Sequence, residues 1–297
     1  MRGTILVTGG SGQLATALLR AGEDIDIRRV GRPEFDFDHP ETIEKAVAGQ
    51  PLAAIVNAAA YTAVDAAEDD AEAAFRANRD GPARLAALSA SAGIPFIHVS
   101  TDYVFDGTKG APYHESDPTV PLGVYGASKR AGEEEVLAAG GRAVVLRTAW
   151  VISPVGRNFV RTMIAARGKT DHLRVVADQC GQPTSAADLA AAILAILRRV
   201  ESAGWQERFG GIFHAAGTGE TTWHGLATAV FEEAARHGVT PPEIAPIRTE
   251  DWPTRARRPA DSRLDCGRLA EIFDLRLPPW RESLHGLVDE LFDGRPR

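Results

Sequence analysis

The stretch ILVTGGSGQLA, Ile5–Ala15, reads as an apolar strand, a glycine turn and the opening of a helix. Gly9 permits the tight turn after the strand. Gly12 lets the backbone come close to a bulky anion, and Ala15 is small enough for the helix to pack on its strand. The amides and dipole of the helix start then face whatever fills the turn, and a phosphate suits them. Glycines alone would mark no more than a turn. Placed between a strand and a helix, G-x-x-G-x-x-A reads as a variant of the dinucleotide fingerprint, with Gly9 and Gly12 at the pyrophosphate.

The alternation begun there continues outward. Strands are expected over Thr4–Thr8, Ile25–Val30, Ala53–Asn57, Phe96–Ser100 and Ala143–Arg147. Between them, helices are expected over Leu14–Ala21, Pro40–Ala48, Ala67–Asn78 and Pro82–Ala92, the last stopped by Gly93 with Pro95 beyond. A further helix carries Tyr125 and Lys129 and ends at Gly140-Gly141. Strands alternating with helices of this length imply an α/β fold, a Rossmann-like doubly wound parallel sheet. After Trp150 the rhythm loosens, with strands at Leu173–Val176 and Gly211–Ala215 and helices at Ala186–Val200, Trp223–Arg236 and around Leu284–Phe292. Residues 1–150 are therefore expected to form a dinucleotide-binding domain, completed by parts of 186–222. Residues 151–185 and 223–297 are expected to form a smaller C-terminal α/β substrate-binding domain over the sheet's carboxyl edge, where open α/β sheets bind ligands.

Composition narrows the partners. The 297 residues are 44% hydrophobic and 25% charged with a net charge of −7, the balance of a globular protein without a nucleic-acid or anionic-membrane surface. The exception is TRARRPADSR, Thr254–Arg263, a cationic stretch that reads either as a solvated loop or as the rim of an anion pocket. Cys180 and Cys266 have no metal-type or disulfide-type spacing, and the eight histidines form no H-x-x-x-H cluster, so no metal is expected. No signal segment or membrane span is legible, since LAAAILAIL, Leu189–Leu197, is far too short. A cytoplasmic protein is expected.

The second strand should supply the residue that reads the adenosine ribose. An acid there would favour NAD, whereas RRVGRPEFD places Gly31 and Arg32 where a 2′-phosphate would be met by a guanidinium. That points to NADPH, with NADH possible because Glu34 and Asp36 stand close by. Asp36 and Phe37 are candidates to flank the adenine.

VYGASK, Val124–Lys129, sets Tyr125 and Lys129 four residues apart, on one helix face. With four tyrosines and four lysines in the chain, chance gives this spacing about once in twenty. A lysine so placed stabilises tyrosinate and lowers the phenol's proton affinity. The phenol then donates a proton to a carbonyl oxygen while hydride reaches its carbon. The bland alternative is an exposed tyrosine stacked over a lysine stem. Two further segments weigh against it. VSTDYVF brings Thr101 and Asp102 to the carboxyl end of a strand, where Thr101 is a candidate donor to the same carbonyl oxygen. VNAAAYT ends another strand in small residues that leave room for a flat ring.

Together these segments resemble the extended short-chain dehydrogenases/reductases, and within them the dTDP-4-dehydrorhamnose reductase family. The resemblance runs nearly the whole chain, through VTGGSGQLA, VNAAAYTAVDAAE, STDYVFDGT, VYGASKRAGE, LRTAWV, NFV, DQCGQPT, TTWH and RPADSRLD. It implies Tyr125 as general acid, Lys129 as its partner and Thr101 as carbonyl donor. It also implies Asp102 and Trp150 against the sugar. Gly12, Gln13 and Leu14 would line the pyrophosphate, with Asp36, Phe37, Ala59, Ala60 and Thr62 along the rest of the cofactor. Asn78 matches a position that organises active-site water, and Arg258 and Arg263 would face the substrate's phosphates. The implied reaction is transfer of hydride from NADPH, or NADH, to C4 of dTDP-4-dehydro-β-L-rhamnose.

Some members of that family dimerise through Mg2+ held by glutamates, and the matching positions here are Ala17 and Ala187, leaving Glu290 without companions. A monomer or a metal-independent homodimer is expected. Two rival functions share the motifs: a 4-ketoreductase for another dTDP-deoxysugar, and a non-catalytic NADP-binding regulatory subunit. The second would be marked by damage at Thr101, Tyr125 or Lys129, and all three are intact.

Overall fold

A computed structural model of the chain describes residues 3–49 and 51–294. Its centre is a six-stranded, wholly parallel sheet. The strands are β1 (Thr4–Thr8), β2 (Ile27–Val30), β3 (Leu52–Asn57), β4 (Pro95–Thr101), β5 (Arg142–Thr148) and β6 (Gly211–His214), arranged 6-5-4-3-1-2. β1 pairs with β2 on one side and β3 on the other, so the chain reverses direction across the sheet between them. The carboxyl ends of β1 and β3 open the crevice where such sheets take their ligands.

Side chains alternate across each strand, and both faces are covered, as a parallel sheet requires. Ile5, Val7, Val56, Ile97 and Leu146 point to one face, into the helices Gln13–Ala21 and Ala186–Ala203. Leu6, Ile55, Phe96 and Val145 point to the other, into a layer that includes Ile43, Leu85 and Val136. The first helix buries Leu14, Ala15 and Leu18. Each fully buried leucine contributes about 1.5–3 kcal/mol. The apolar Ala186–Ala203 helix is capped by Ser185, whose hydroxyl accepts from the amide of Ala187 at 3.2 Å. It buries one face against the sheet and leaves Ala187, Ala191, Arg198 and Arg199 exposed, and among the described residues no helix is long and apolar enough to cross a membrane.

A separate apolar cluster joins Ile152, Val160, Met163, Val175, Leu226, Phe231, Trp280 and Leu284. It belongs to the segments after Trp150.

Several elements differ from the sequence expectation. The helix expected over Ala67–Asn78 breaks at Asp70, whose carboxylate accepts from the amide of Ala73 at 3.2 Å and starts a new helix. That helix widens to a π turn at Arg76–Asp80 and runs on into Gly81–Ala92, so Pro82 falls at a helix start that tolerates its missing N–H. The helices Phe159–Ala166 and Gly267–Phe273 were not legible in advance. Neither was the strand Glu243–Ile247, which pairs with His172–Val176 in an isolated two-stranded sheet despite Pro246. An edge strand can spare the amide that proline lacks.

Candidate active site

The ends of β1, β3, β4 and β5 converge on a cleft of about 910 Å³. Its walls include Gly9, Gly12, Gln13, Leu14, Arg32, Asp36, Phe37, Ala59, Ala60, Thr62, Thr101, Asp102, Tyr125, Lys129 and Trp150. Gly9 sits at φ +107°, and a Cβ there would lie 3.0 Å from the backbone of Ala58. Only glycine lets the first turn pass this close to the end of β3. The remaining turn and the small Ala58–Ala60 run leave an open channel from the helix start toward Tyr125.

At the end of the cleft beside β2, Arg32 is held by two carboxylates, Nε to Asp36 at 2.9 Å and Nη2 to Asp38 at 2.7 Å, and its side chain is 70% exposed. The two carboxylates fix the direction of its guanidinium at the cleft rim. Phe37 lines the cleft but is mostly buried, edge-on to Phe35 at 5.1 Å.

At the other end, the helix Val124–Ala138 presses on the turn after β4. A Cβ on Gly126 would fall 2.1 Å from the carbonyl oxygen of Tyr103, so glycine allows the contact that brings Tyr125 against Thr101. The Thr101 hydroxyl donates to Asp102 Oδ1 at 3.0 Å and shares the cleft wall with the Tyr125 phenol. Burial raises the Asp102 carboxyl to about 6, opposed by hydrogen bonds from Ser262 and Thr101. Burial likewise pushes Tyr125 up to about 12. This departs from the sequence expectation, in which Lys129 lowers the phenol. Desolvation outweighs any help from the lysine, whose Nζ donates to the carbonyl of Val99 at 2.6 Å and lies 3.4 Å from His98 Nε2. A phenol protonated at neutral pH is nevertheless the state a proton donor needs. Burial brings Lys129 down to about 8, with Glu133 acting the other way.

Behind the cleft, Asn78 is fully buried in the π turn. Its Oδ1 accepts from the amide of Tyr61 at 2.8 Å, and its Nδ2 donates to Tyr61 O at 3.1 Å and Ser128 Oγ at 2.9 Å. It ties the loop after β3 to the Tyr125 helix. Arg147 and Glu133 form a bidentate ion pair, 2.9 and 2.7 Å, with both side chains 3% exposed.

Trp150 adopts φ +43°, a left-handed conformation rare for a large residue. It stacks on Trp223 at a centroid distance of 3.5 Å and an angle of 8°. Trp223 in turn donates to Gln179 Oε1 at 3.1 Å.

Two predicted residues are not brought to the cleft wall. Arg258 is bidentate on Asp65, at 2.7 and 3.2 Å, and reaches the cleft only through its contact with Tyr103. Arg263 is paired with Asp261 at 2.6 Å and Glu220 at 2.5 Å. Arg258 and Arg263 in the cationic stretch are thus neutralised by Asp65 and Glu220, distant in the chain, and by Asp261 within the stretch itself. Conversely, Tyr103 and Trp223 line the cleft and Ser262 closes on Asp102, although sequence reasoning assigned them no role. Tyr103 stood inside STDYVF and Trp223 inside TTWH, so their motifs were visible while their direction was not. Among the described residues no group of three or more His, Cys, Asp or Glu side chains is placed to hold a metal ion. Ala17 and Ala187 bring no carboxylate, and Glu290 is paired with Arg20 at 2.6 Å.

Residues 1–292 match the family model described as RmlD substrate binding domain. A dTDP-4-dehydrorhamnose reductase of Sinorhizobium fredii is 45% identical over 285 residues, covering 96% of each chain. A probable dTDP-4,6-dihydroxy-2-methyloxan-3-one 4-ketoreductase of Streptomyces antibioticus is 39% identical, covering 94% of this chain and 92% of that one. The crystal structure of a dTDP-4-dehydrorhamnose reductase from Bacillus anthracis in complex with NADP superposes with a TM-score of 0.89 at 31% identity, covering 98% of this chain and 100% of that one.

Proposed function

The chain belongs to the RmlD substrate-binding-domain family, and from that premise we propose that Tyr125, Lys129 and Thr101 carry out its reaction. The protein is an NADPH-dependent reductase that converts dTDP-4-dehydro-β-L-rhamnose to dTDP-β-L-rhamnose. The observation that carries the residue assignment is the gathering of Tyr125, Lys129 and the buried, hydrogen-bonded Thr101–Asp102 pair on one wall of the cleft.

The cleft suits the cofactor: the glycine turn meets the pyrophosphate, Ala58–Ala60 leave room for the flat ring, and Arg32 faces the 2′-phosphate. NADPH supplies the hydride to C4 when bound. Thr101 holds the ketone oxygen, and Tyr125 delivers its phenolic proton to that oxygen as negative charge develops. Lys129 holds the nicotinamide ribose hydroxyls and lowers the cost of the tyrosinate that remains. Asp102 and Trp150 meet the sugar ring, the latter held in place by Trp223. Gln13, Leu14, Asp36, Phe37 and Thr62 line the cofactor, whereas Arg258 and Arg263, held by Asp65 and by Asp261 and Glu220, are left out of the phosphate contacts. Residues 151–185 and 223–297 carry the nucleotide-sugar. We place the protein in the cytoplasm, as a monomer or a metal-independent dimer.

A second reading, reduction of another dTDP-4-ketosugar, is favoured by the likeness to the Streptomyces ketoreductase. One assay separates the possibilities: loss of reduced-nicotinamide absorbance with enzymatically made dTDP-4-dehydro-L-rhamnose, wild type beside Tyr125→Phe. Turnover that falls by about 10²–10⁴ in the variant, with NADPH still bound, is expected. Turnover surviving in the variant removes Tyr125 as donor. A wild type that binds NADPH but turns over only other ketosugars, or none, moves the function to the second reading or to a regulatory subunit.

A further inference from the structure

Below the cleft lies a buried polar row that the reaction as described does not use. Thr8 ends β1, Asn57 ends β3 and His98 lies in β4, and the strand register makes them direct cross-strand partners. All three are at most 1% exposed, and Lys129 is 2% exposed. The amide of Ala59 donates to Thr8 Oγ1 at 3.2 Å, and the Thr8 hydroxyl donates to Asn57 Oδ1 at 2.6 Å. Asn57 Nδ2 lies 3.0 Å from His98 Nδ1, and His98 Nε2 lies 3.4 Å from Lys129 Nζ.

Direction propagates along such a row, because each group must donate where its neighbour accepts. Thr8 has one proton, and Asn57 Oδ1 takes it. Asn57 then offers its NH2 to His98, so Nδ1 is the bare nitrogen and the ring proton sits on Nε2, facing Lys129. A neutral amine accepts that proton through its lone pair. An ammonium has no lone pair and meets it hydrogen to hydrogen. The reverse order suits the ammonium: Lys129 donates to a bare Nε2, Nδ1–H donates to Asn57 with its amide turned over, and Asn57 donates to Thr8. In that order the Thr8 proton loses its buried acceptor.

We infer that Thr8, Asn57 and His98 are positioning residues that couple the proton on Lys129 to the direction of this row, the threonine hydroxyl favouring the neutral amine. The inference rests on the reading of Lys129 as the partner of Tyr125 and the holder of the cofactor's ribose. Burial keeps His98 uncharged, its proton affinity lying well below that of a free imidazole, so only its tautomer changes. Burial also brings Lys129 to about 8, within reach of a working pH. The other ionisable groups around the pair are few. Tyr125 and Glu133 lie on the lysine's own helix, and Arg147 of β5 neutralises Glu133. Asp102 and Tyr103 follow β4. The helices packed behind carry Glu72, Arg76, Arg79, Asp80 and Arg84, all turned outward to solvent or into exposed ion pairs.

The test uses full-length protein labelled with ¹⁵N-histidine. Ring-nitrogen shifts are followed between pH 6.5 and 9.5, with the His98 signals assigned by their loss in His98→Gln. Affinity for NADPH is measured by fluorescence over the same range. The expected result is a His98 tautomer that switches from Nδ1–H at low pH to Nε2–H at high pH. Its midpoint should coincide with the loss of NADPH affinity as Lys129 gives up its charge. Thr8→Val, which keeps the shape and removes the proton, should move both midpoints up by about one pH unit, a tenfold gain in proton affinity. Thr8→Ser should restore them. A single tautomer across the range overturns the inference, and so do midpoints unmoved in a folded Thr8→Val. If that variant does not fold, the wild-type tautomer decides alone. Neither readout needs the ketosugar, so an error in the substrate leaves this test intact, while Tyr125→Phe turnover tests the function.

Discussion

Replacing Lys129 by methionine should stabilise the protein at neutral pH while removing its activity. The lysine is 2% exposed, and burial brings its proton affinity from 10.5 to about 8. At 1.36 kcal/mol per pKa unit, that displacement costs the folded state about 3 kcal/mol whenever the unfolded chain carries the proton. Methionine has nearly the same length and no charge to desolvate. It also lacks the donor that Nζ gives to the Val99 carbonyl at 2.6 Å, and an unpaired buried carbonyl costs about 1–2 kcal/mol. A net gain of about 1–2 kcal/mol at pH 7 follows. The sign of its pH dependence is fixed. The folded lysine has the lower affinity, so the folded protein binds fewer protons than the unfolded chain between about pH 8 and 10.5. Wild type therefore recovers stability as pH rises through that window, and the variant's advantage fades and then reverses. Urea denaturation of both proteins at pH 7 and pH 10 measures the difference, and reduced-nicotinamide turnover of the same samples measures the loss of activity. A variant less stable than wild type at pH 7, or a difference that does not change with pH, would refute the reasoning.

Other substitutions probe different parts of the site. Glu133→Gln leaves the Arg147 charge buried without its counter-charge and with one of its 2.7 and 2.9 Å acceptors replaced by an NH2 donor. It should cost about 3–5 kcal/mol in denaturation experiments, whereas Glu133→Leu combined with Arg147→Met should cost far less. Arg32→Ser removes the guanidinium from this end of the cleft and leaves Asp36 without its partner, while Asp38 keeps Arg76 at 2.5 Å. It should weaken NADPH about tenfold, ~1.4 kcal/mol, and leave NADH little changed, as titrations of cofactor fluorescence would report.

The fold and the site were unequally legible. The strands of the central sheet came through to within a residue or two because their alternating runs are bounded by Gly and Pro. Thr4–Thr8 matched residue for residue. The helix expected over Ala67–Asn78 did not, because a side chain, Asp70, competes for the backbone amide that would have continued it. Glu243–Ile247 is a strand only because His172–Val176 lies beside it. Among the site residues, glycines and the Tyr–Lys pair carry their meaning in local spacing. The arginines of TRARRPADSR carry theirs only in part: Asp261, two residues from Arg263, stands in the stretch itself, but Asp65 and Glu220, which also hold Arg258 and Arg263, are far away in sequence. His98 had no local mark at all, because a histidine in an apolar strand most often reads as a satisfied core residue.

By itself, then, the order of residues determined the parallel sheet, the glycine turn between strand and helix, and the tyrosine and lysine on one helical face. These follow from short-range rules: the two-residue and 3.6-residue periods, and the φ angles that only glycine takes freely. The tertiary structure alone decided which charges are spent on one another, which proton affinities burial moves, and that Trp150 stacks on Trp223. It also decided that Thr8, Asn57, His98 and Lys129 stand in one row. Desolvation and hydrogen bonding depend on what packs around a group, and those neighbours are 31 to 49 residues apart along the chain.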